Sequence, residues 1–358
     1  MHLPPPGPVL PSGMVPPLEA DGCSPLAAPF AIGGVRVPNR VVLAPMAGLT
    51  GPAYRRHLKA HGAGLVMTEM VSSYGLTYRN VRTWGYLEFA DEERPIAVQL
   101  FGDEPEVMER AAEIVLSRER TPDMLDINMG CPVRKVVKTG AGCALMGDRE
   151  RALAVAGAVV KAAGAMGGGA VPVTVKLRSG LAPGDGLALD LAPRLEQAGV
   201  AGLGLHPRAA GEYYHGRADH SVTAAVVSAV GIPVIASGDI DSVESALSIV
   251  ETTGAAAVMV ARGAAGNPWL VGELLSGRRA ARPPLPVVVA DLRLLLARAE
   301  EEMGSDRAVR WIRKLLTWYL RPSGVPAHLI TPLCEAADVA GLDVALAGLP
   351  QQPELLFL

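Results

Sequence analysis

The sequence predicts an α/β fold, a (β/α)8 TIM barrel followed by a small C-terminal all-α helical domain, and three observations carry that expectation. Eight short apolar runs recur between residues 41 and 263, most of them followed by an Ala/Glu/Leu-rich segment of helical period. The runs are apolar at successive positions, as in parallel strands covered by helices on both faces. Past Trp269 the strand pattern stops, and from Val287 to about Ala347 the periodicity is helical throughout. Eight strand–helix units over about 240 residues is the length of such a barrel. A doubly wound sheet is the alternative, but it would want fewer strands and a dinucleotide fingerprint. "GAMGGGA" (164–170) precedes a strand instead of following one, so it is read as a flexible helix-to-strand loop.

The elements follow in order. Residues 1–28, opening "MHLPPPGPVLPSGMVPP", have no basic segment leading into an apolar run, which argues against a signal peptide. Their proline content favours an extended, disordered lead. "FAIGGVRVPNRVVLAPM" reads as a hairpin turning at Gly33-Gly34 and feeding the first barrel strand, Val41–Met46. The remaining strands are "GLVMTEM", "PIAVQLFG", "MLDINMG", "VPVTVKLR", "AGLGLHPR", "IPVIASGD" and "AAVMVARG", with helices expected at Pro105–Arg118, Arg149–Gly164, Leu189–Ala198 and Val243–Thr252. "ARPPLP" (281–286) marks a joint, so the barrel domain is assigned to 29–280 and the helical domain to 281–358.

Composition narrows the class. Of 358 residues, 49% are hydrophobic, ample for a core, and no apolar stretch reaches the roughly 20 residues of a membrane span without glycine, proline or charge. Cys23, Cys131, Cys143 and Cys334 are scattered, with no metal spacing, which fits a reducing cytoplasm and no metal site. The net charge of −3 says nothing for nucleic acid, yet residues 271–330 carry ten basic against six acidic side chains. On "RAVRWIRKLLTWYLR", Arg307, Arg310 and Lys314 share a helix face, with Trp311 and Trp318 a heptad apart. That face is either simply solvated, with its tryptophans in the core, or a surface for a phosphate backbone.

The chemistry gathers at the strand ends, where such a barrel keeps its active site. Successive strands end in Pro45-Met46-Ala47, Glu69, Gln99, Asn128 running on to Cys131, Lys176 with Arg178, His206 with Arg208, Ser237-Gly238-Asp239, and Arg262-Gly263. One polar residue at a strand end is usually a cap, but a ring of them points to a site. The last two loops, "SGD" and "ARGAAGNPW", are glycine-bearing turns into helices where backbone N–H groups commonly hold a phosphate, with Arg262 adding charge. Lys176 suits the N1/O2 edge of a reduced flavin; a Schiff-base nucleophile is the other use of such a lysine, which nothing nearby but the fold favours. Gln99 offers both a donor and an acceptor to a flavin or pyrimidine edge. Cys131, between Gly130 and Pro132, is either a small residue in a tight turn or a reactive thiol at the mouth of the barrel.

The strings "APMAGLT", "VQLFG", "DINMGCPVRKV", "GAGCALM", "VTVKLRSG", "LHPRAAGEYYHGRADH", "IPVIASGDI" and "MVARGAAGNPW" resemble, in order, the tRNA-dihydrouridine synthase family, nearest its bacterial B-type branch. The similarity runs from about Phe30 to about Arg321. The resemblance implies an FMN-dependent barrel with a helical tRNA-binding domain. Such an enzyme reduces the C5–C6 double bond of particular tRNA uridines, with NADPH (or NADH) recharging the flavin. It implies further that Pro45, Met46 and Ala47 line the isoalloxazine and that Gln99, Lys176 and His206 contact the cofactor. Ser237, Gly238, Asp239, Ala261 and Arg262 would hold its phosphate end, Asn128 and Arg178 would contact the target uracil, and Cys131 would be the proton donor. Ser237 stands where the family usually has asparagine, and Ala261 and Pro207 where it has glycine. The first two sit in loops that act mainly through backbone N–H, so FMN binding should survive. Leu315 replaces a frequent histidine, which puts a tRNA contact there in question.

A thiol with an ordinary pKa of about 8.5 is mostly protonated at neutral pH and can donate to C5 after hydride reaches C6. Lys135 and Lys138 must then leave it undepressed. The target base must leave its stack to be reached, and the helical domain with loop 72–87 (Arg79, Arg82, Trp84) is expected to grip the tRNA. No membrane association and no obligate protein partner are expected. Two rivals remain: a small-molecule dihydropyrimidine or dihydroorotate-type flavin oxidoreductase, and a non-catalytic tRNA-binding chaperone. The first would not need the basic helical domain, and an intact Cys131, Lys176 and Asn128 argues against the second.

Overall fold

A computed structural model describes residues 24–166 and 171–349. A hairpin of β1 (Phe30–Ile32) and β2 (Val35–Val37) turns at Gly33, whose φ of 54° lies in the left-handed region. Then come β3 (Val41–Leu43), β4 (Val66–Met67), β5 (Val71–Ser72), β6 (Ile96–Phe101), β7 (Met124–Met129), β8 (Val173–Arg178), β9 (Gly202–His206), β10 (Val234–Ser237) and β11 (Ala257–Val260). All these pairings are parallel, in the order β3-β11-β10-β9-β8-β7-β6-β4. A parallel bridge between Val42 and Leu65 closes the ring, so the expected (β/α)8 barrel is what forms.

The second barrel strand departs from the continuous run expected over 64–70. Thr68 presents its hydroxyl oxygen to the Gln99 N–H (3.1 Å), so the ladder breaks after Met67 and resumes with β5 beside β6. Strand burial explains the rest: β3, β7, β9, β10 and β11 are buried at every position, as two-sided cover requires. The hairpin plugs one end of the barrel, with Ile32 and Val37 packed in one cluster with Val42, Ala97, Met124 and Met259.

The helices around and beyond the barrel are α1 (Pro52–Ala60), α2 (Ser73–Thr77), α3 (Val81–Gly85), α4 (Pro105–Leu116), α5 (Arg134–Val137), α6 (Arg149–Met166), α7 (Leu187–Gln197), α8 (His220–Ala229), α9 (Val243–Thr253) and α10 (Leu270–Ser276). Four more complete the chain: α11 (Leu285–Met303), α12 (Ser305–Leu320), α13 (Ala327–Glu335) and α14 (Val339–Ala347). Residues 1–23 of the expected lead lie outside the described residues, as do 167–170 of the glycine loop. The lead's last residues are ordered, contrary to the expectation. Pro25–Ala27 form a 3-10 turn capped by Ser24, and Leu26 is fully buried in the largest core cluster. That cluster runs without a break from Val41 and Tyr54 through Leu274 to Leu316 and Leu346, so α11–α14 share one core with the barrel flank. Among the described residues, no helix is long and apolar enough to cross a membrane.

Candidate active site

A cavity of about 390 Å³ opens at the C-terminal ends of the strands. Of the residues expected to hold a cofactor, Pro45, Met46, Lys176, His206, Ser237, Gly238, Asp239, Ala261 and Arg262 line it, with Tyr214 added. Ala47 is exposed beside it, and Gln99 is buried away from its lining. The two phosphate-type turns fit closely. A Cβ on Gly238 (φ 106°) would meet the His206 ring at 2.8 Å, and one on Gly263 would meet the Ile240 carbonyl at 2.4 Å. Only glycine lets these backbones approach, so their N–H groups can face a ligand directly.

Lys176 and Arg262, the two cations that line this cavity, make no ion pair among the described residues. Lys176 sits on β8 between Asn128 of β7 and Gly204 of β9, where the missing side chain leaves space for its stem. Burial brings its pKa down to about 8, opposed by the charge of Asp126. Its ammonium remains protonated at neutral pH. The Arg262 guanidinium lies over the Tyr214 ring, 4.6 Å from its centroid, and makes no ion pair among the described residues. Burial, with Lys176, Arg178, Arg208 and Arg262 around it, brings His206 down to about 2, so its ring is neutral. An Arg208 N–H points at His206 Nε2 (3.2 Å), which leaves Nδ1 to carry the proton. Arg208 also holds both Asp239 oxygens (2.6 and 2.8 Å). Despite the cost of partial burial, the Ala218 N–H and Arg208 keep Asp239 below the ordinary carboxylate range. The Asp239 side chain is thus spent on the scaffold, and its backbone, at φ 54°, shapes the turn.

A hydrogen-bond chain connects the barrel interior to the cysteine loop. Thr174 donates to Asp126 (2.5 Å), and Gln99 Nε2 donates to the other Asp126 oxygen (2.7 Å). Asn128 Nδ2 donates to Gln99 Oε1 (2.8 Å), and Asn128 Oδ1 accepts from the Cys131 N–H (2.9 Å) and the Gly130 N–H (3.3 Å). Gln99 therefore has both ends engaged within the protein, and Asn128 keeps one amide hydrogen free. Burial lifts Asp126 to about 6, while Thr174, Gln99 and Lys176 restrain it. Arg178, expected at the uracil, is buried and directs its N–H groups to the carbonyls of Gly130 (3.2 Å), Ala209 (3.2 Å) and Tyr213 (2.7 Å). It ties the cysteine loop to the loop after β9.

Cys131 itself is half-buried on this braced turn. Burial pushes its thiol above the ordinary range, against weaker pulls from the Val133 N–H, Arg178 and Lys176. Arg178 and Lys176 are the cations that pull on it, both more weakly than burial pushes. Gly142 (φ 65°) is needed here, since a Cβ would lie 2.6 Å from the Cys131 carbonyl.

Sequence reasoning did not reach several contributors. Gly48, beside the Pro45–Ala47 segment, donates its N–H to Glu69 (2.6 Å), and its carbonyl accepts from Trp311 Nε1 (3.1 Å) and from Lys314. Glu302 likewise accepts from the Ala53 N–H at the start of α1. Helices α11 and α12 thus clamp the loop after β3. Lys314 turns to the barrel while Arg307 and Arg310 face solvent, and Trp318 is 45% exposed. Leu315 is fully buried in the shared core, which removes that position from any RNA surface.

The profile of a family described as dihydrouridine synthase matches residues 42–329. A tRNA-dihydrouridine synthase B of Pseudomonas aeruginosa is 37% identical over 293 residues, covering 81% of this chain and 86% of its own. A probable tRNA-dihydrouridine synthase of Rhizobium leguminosarum bv. phaseoli is 39% identical over 285 residues, covering 79% and 86%. Among solved structures, morphinone reductase superposes with a TM-score of 0.52 at 17% identity, over 75% of this chain and 94% of its own. Histamine dehydrogenase from Rhizobium sp. 4-9 gives a TM-score of 0.53 at 13% identity, and the chain spans about half its length, 51%. At such identities these two support the barrel alone. The family match and the two relatives cover most of the chain, and it is a member of the dihydrouridine synthase family.

Proposed function

We propose that this enzyme reduces the C5–C6 double bond of uridines in tRNA, with FMN in the 390 Å³ cavity and NADPH or NADH as the reductant. The residues present fit FMN: unpaired cations at Lys176 and Arg262, two glycine turns open to a phosphate, and Pro45 and Met46 against the ring. Bound FMN supplies the hydride that C6 of the uracil receives. The chain's part is positioning and proton transfer. With FMN bound, Lys176 would supply positive charge to its electron-rich N1/O2 edge, neutral His206 would offer Nδ1–H, and the N–H groups of Ser237–Asp239 and Ala261–Arg262 would hold the phosphate. Gln99 supports this edge through Asn128 and Asp126 more than by direct contact.

Cys131 Sγ–H gives the proton to C5. Asn128 fixes the loop and offers its remaining amide hydrogen to the base, and Arg178 braces the loop from below. The observation that carries this reading is the burial-raised Cys131 thiol on a turn pinned by Asn128 and Arg178. A thiol kept protonated is an acid in waiting, whereas a nucleophilic cysteine needs the opposite shift. The helices from 281 onward, with their basic α12, are proposed to face the tRNA, and the working compartment is proposed to be the cytoplasm.

Single-turnover reaction with tRNA tests the reading. Wild-type protein should form dihydrouridine in tRNA and leave free uracil and orotate unreduced. Cys131→Ala should keep FMN and its reduction by NADPH while losing product by about 10²-fold or more. Unchanged product yield from that variant, or turnover of the free bases alone, contradicts it.

A further inference from the structure

A second groove, of about 450 Å³, lies between the α2–α3 insertion and α4 and shares no residue with the cofactor cavity. Its apolar lining is Leu76, Val81 and Ile114, and two cations, Arg79 and Arg110, line it with no acidic residue among them. Neither arginine side chain has an ion pair or hydrogen bond among the described residues. Trp84 also lines the groove, and its Nε1–H is buried without a partner. It is one of five buried side-chain polar atoms with no hydrogen-bond partner among the described residues, and of the five it is the one that lines this groove, where a ligand can complete it.

The surroundings say what kind of group that is. Val81 is 87% exposed and Tyr78 is 80% exposed, and the Tyr78 ring stacks on Tyr74 at 6.3 Å with 7° between planes. The stacked tyrosines lie next to the groove in sequence, Tyr78 preceding its Arg79, and within it the Trp84 ring carries Arg118 on one face, 5.6 Å from the centroid. Apolar and aromatic side chains with unpaired arginines suit a single nucleotide, base on the apolar side and phosphate on the cations. The insertion is also mechanically close to the chemistry. Ser73 packs against Gly102, and Asp103 of the same loop packs against Gly140, which follows the Cys131 turn. Exposed basic residues of that turn, Arg134, Lys135 and Lys138, face solvent nearby in sequence.

We propose that this groove holds one nucleotide of the tRNA other than the reduced uridine, with Arg79 and Arg110 on its phosphate and Trp84 Nε1–H on an acceptor of its base or backbone. It rests on the reading that tRNA is the substrate, and it adds a second anchoring point that fixes which uridine reaches Cys131. The anchor is a positioning device: it contributes to holding the RNA and not to reduction.

The test uses the full-length, FMN-loaded protein and an unmodified tRNA that the wild type reduces. Arg79→Gln with Arg110→Gln should raise Kd and KM for tRNA about tenfold and lower the slope of log K against log salt by about one per arginine. Thermal stability and NADPH reduction of the flavin, which need no tRNA, should stay as in wild type. Trp84→Phe, which keeps the ring and deletes only the N–H, should raise Kd about threefold to tenfold, the worth of one hydrogen bond. Unchanged tRNA affinity and salt slope in the folded arginine variant overturn the proposal, even with the wild type active. Slower NADPH reduction with unchanged tRNA binding overturns it too, by giving the groove to the dinucleotide. A wild type that leaves every tRNA unmodified fails the underlying reading and the groove together.

Discussion

Two clusters of polar side chains, one buried and one opening on the cavity, differ in whether the protein supplies both partners of each contact. Between α1 and α11, Asp291 accepts from His57 Nε2 (3.0 Å) and His61 Nε2 (2.9 Å), and an Arg298 N–H points at His57 Nδ1 (3.2 Å). The three ligand-capable atoms of His57, His61 and Asp291 lie within 4.8 Å of one another, a spacing a metal could use. The Arg298 guanidinium beside them answers the Asp291 charge instead, so the cluster is closed as it stands. In the cofactor cavity, Lys176 feels Asp126 only at a distance, and neither it nor Arg262 makes an ion pair among the described residues. The first cluster holds the fold together, and the second awaits a ligand. The lesson is that burial alone does not mark function, whereas buried or convergent charge left without a partner does.

Breaking the closed cluster should have the largest effect. Asp291→Ala leaves histidines and a guanidinium without their anion, and the expected loss is about 3–5 kcal/mol in denaturant unfolding. The sign with pH follows. Asp291 is held well below its usual range, mainly by His57 once burial is overcome, and burial depresses His57. Stability from both is present above their unfolded pKa values and is lost as pH falls through the folded ones. Wild-type protein should therefore lose stability steeply in acid, and Asp291→Asn should flatten that limb. An Asp291→Ala protein as stable as wild type would break the comparison.

Arg178 joins the two kinds of region, since its donors close backbone contacts while its guanidinium lies over the ring of Tyr214, a cavity residue, 5.4 Å from its centroid. Arg178→Met should slow dihydrouridine formation about tenfold by loosening the Cys131 turn, with flavin reduction by NADPH unchanged. Stopped-flow separation of the two half-reactions checks it. Alkaline pH should then weaken the open site alone. Lys176 loses its proton near pH 8 in the free protein, so FMN affinity should fall above that point by up to about tenfold per pH unit. The Lys176→Met profile should be flat between pH 7 and about 9. The smallest effect is expected at Lys314, an exposed cation on the Gly48 carbonyl. Lys314→Met should raise KM for tRNA only a few-fold and leave FMN affinity unchanged.

The barrel was legible because two-sided burial writes itself into runs such as "MLDINM" and "VTVKLR", and β7 and β8 fall on those residues. The ring of strand-end residues was legible for the same reason: polar groups confined to the ends of apolar runs have no packing explanation. What sequence reasoning could not supply was the direction of each polar atom. Asp239 looks like a ligand in "SGD", yet Arg208 and the Ala218 N–H consume its carboxylate. Gln99 and Arg178 likewise sit at the expected strand ends but turn to Asp126 and to three carbonyls. Asp126, inside an apolar strand, gave a signal that was there to be read: a carboxylate buried on a barrel strand needs partners. The Gly48 clamp was beyond reach, because it joins residues 48 and 69 to 311 and 314, with no local pattern to relate them.

The measurement that bears most directly on the contrast between closed and open clusters is a paired titration of the FMN-free protein. Lys176→Met with Arg262→Met should weaken FMN binding by about 10²-fold, the worth of two charge-assisted contacts, while the melting temperature without FMN stays at the wild-type value or rises. Neither side chain makes an ion pair among the described residues, so removing the two charges breaks none, and it relieves the burial cost at Lys176. A double variant that melts lower without FMN, or that binds FMN as tightly as wild type, would contradict the account.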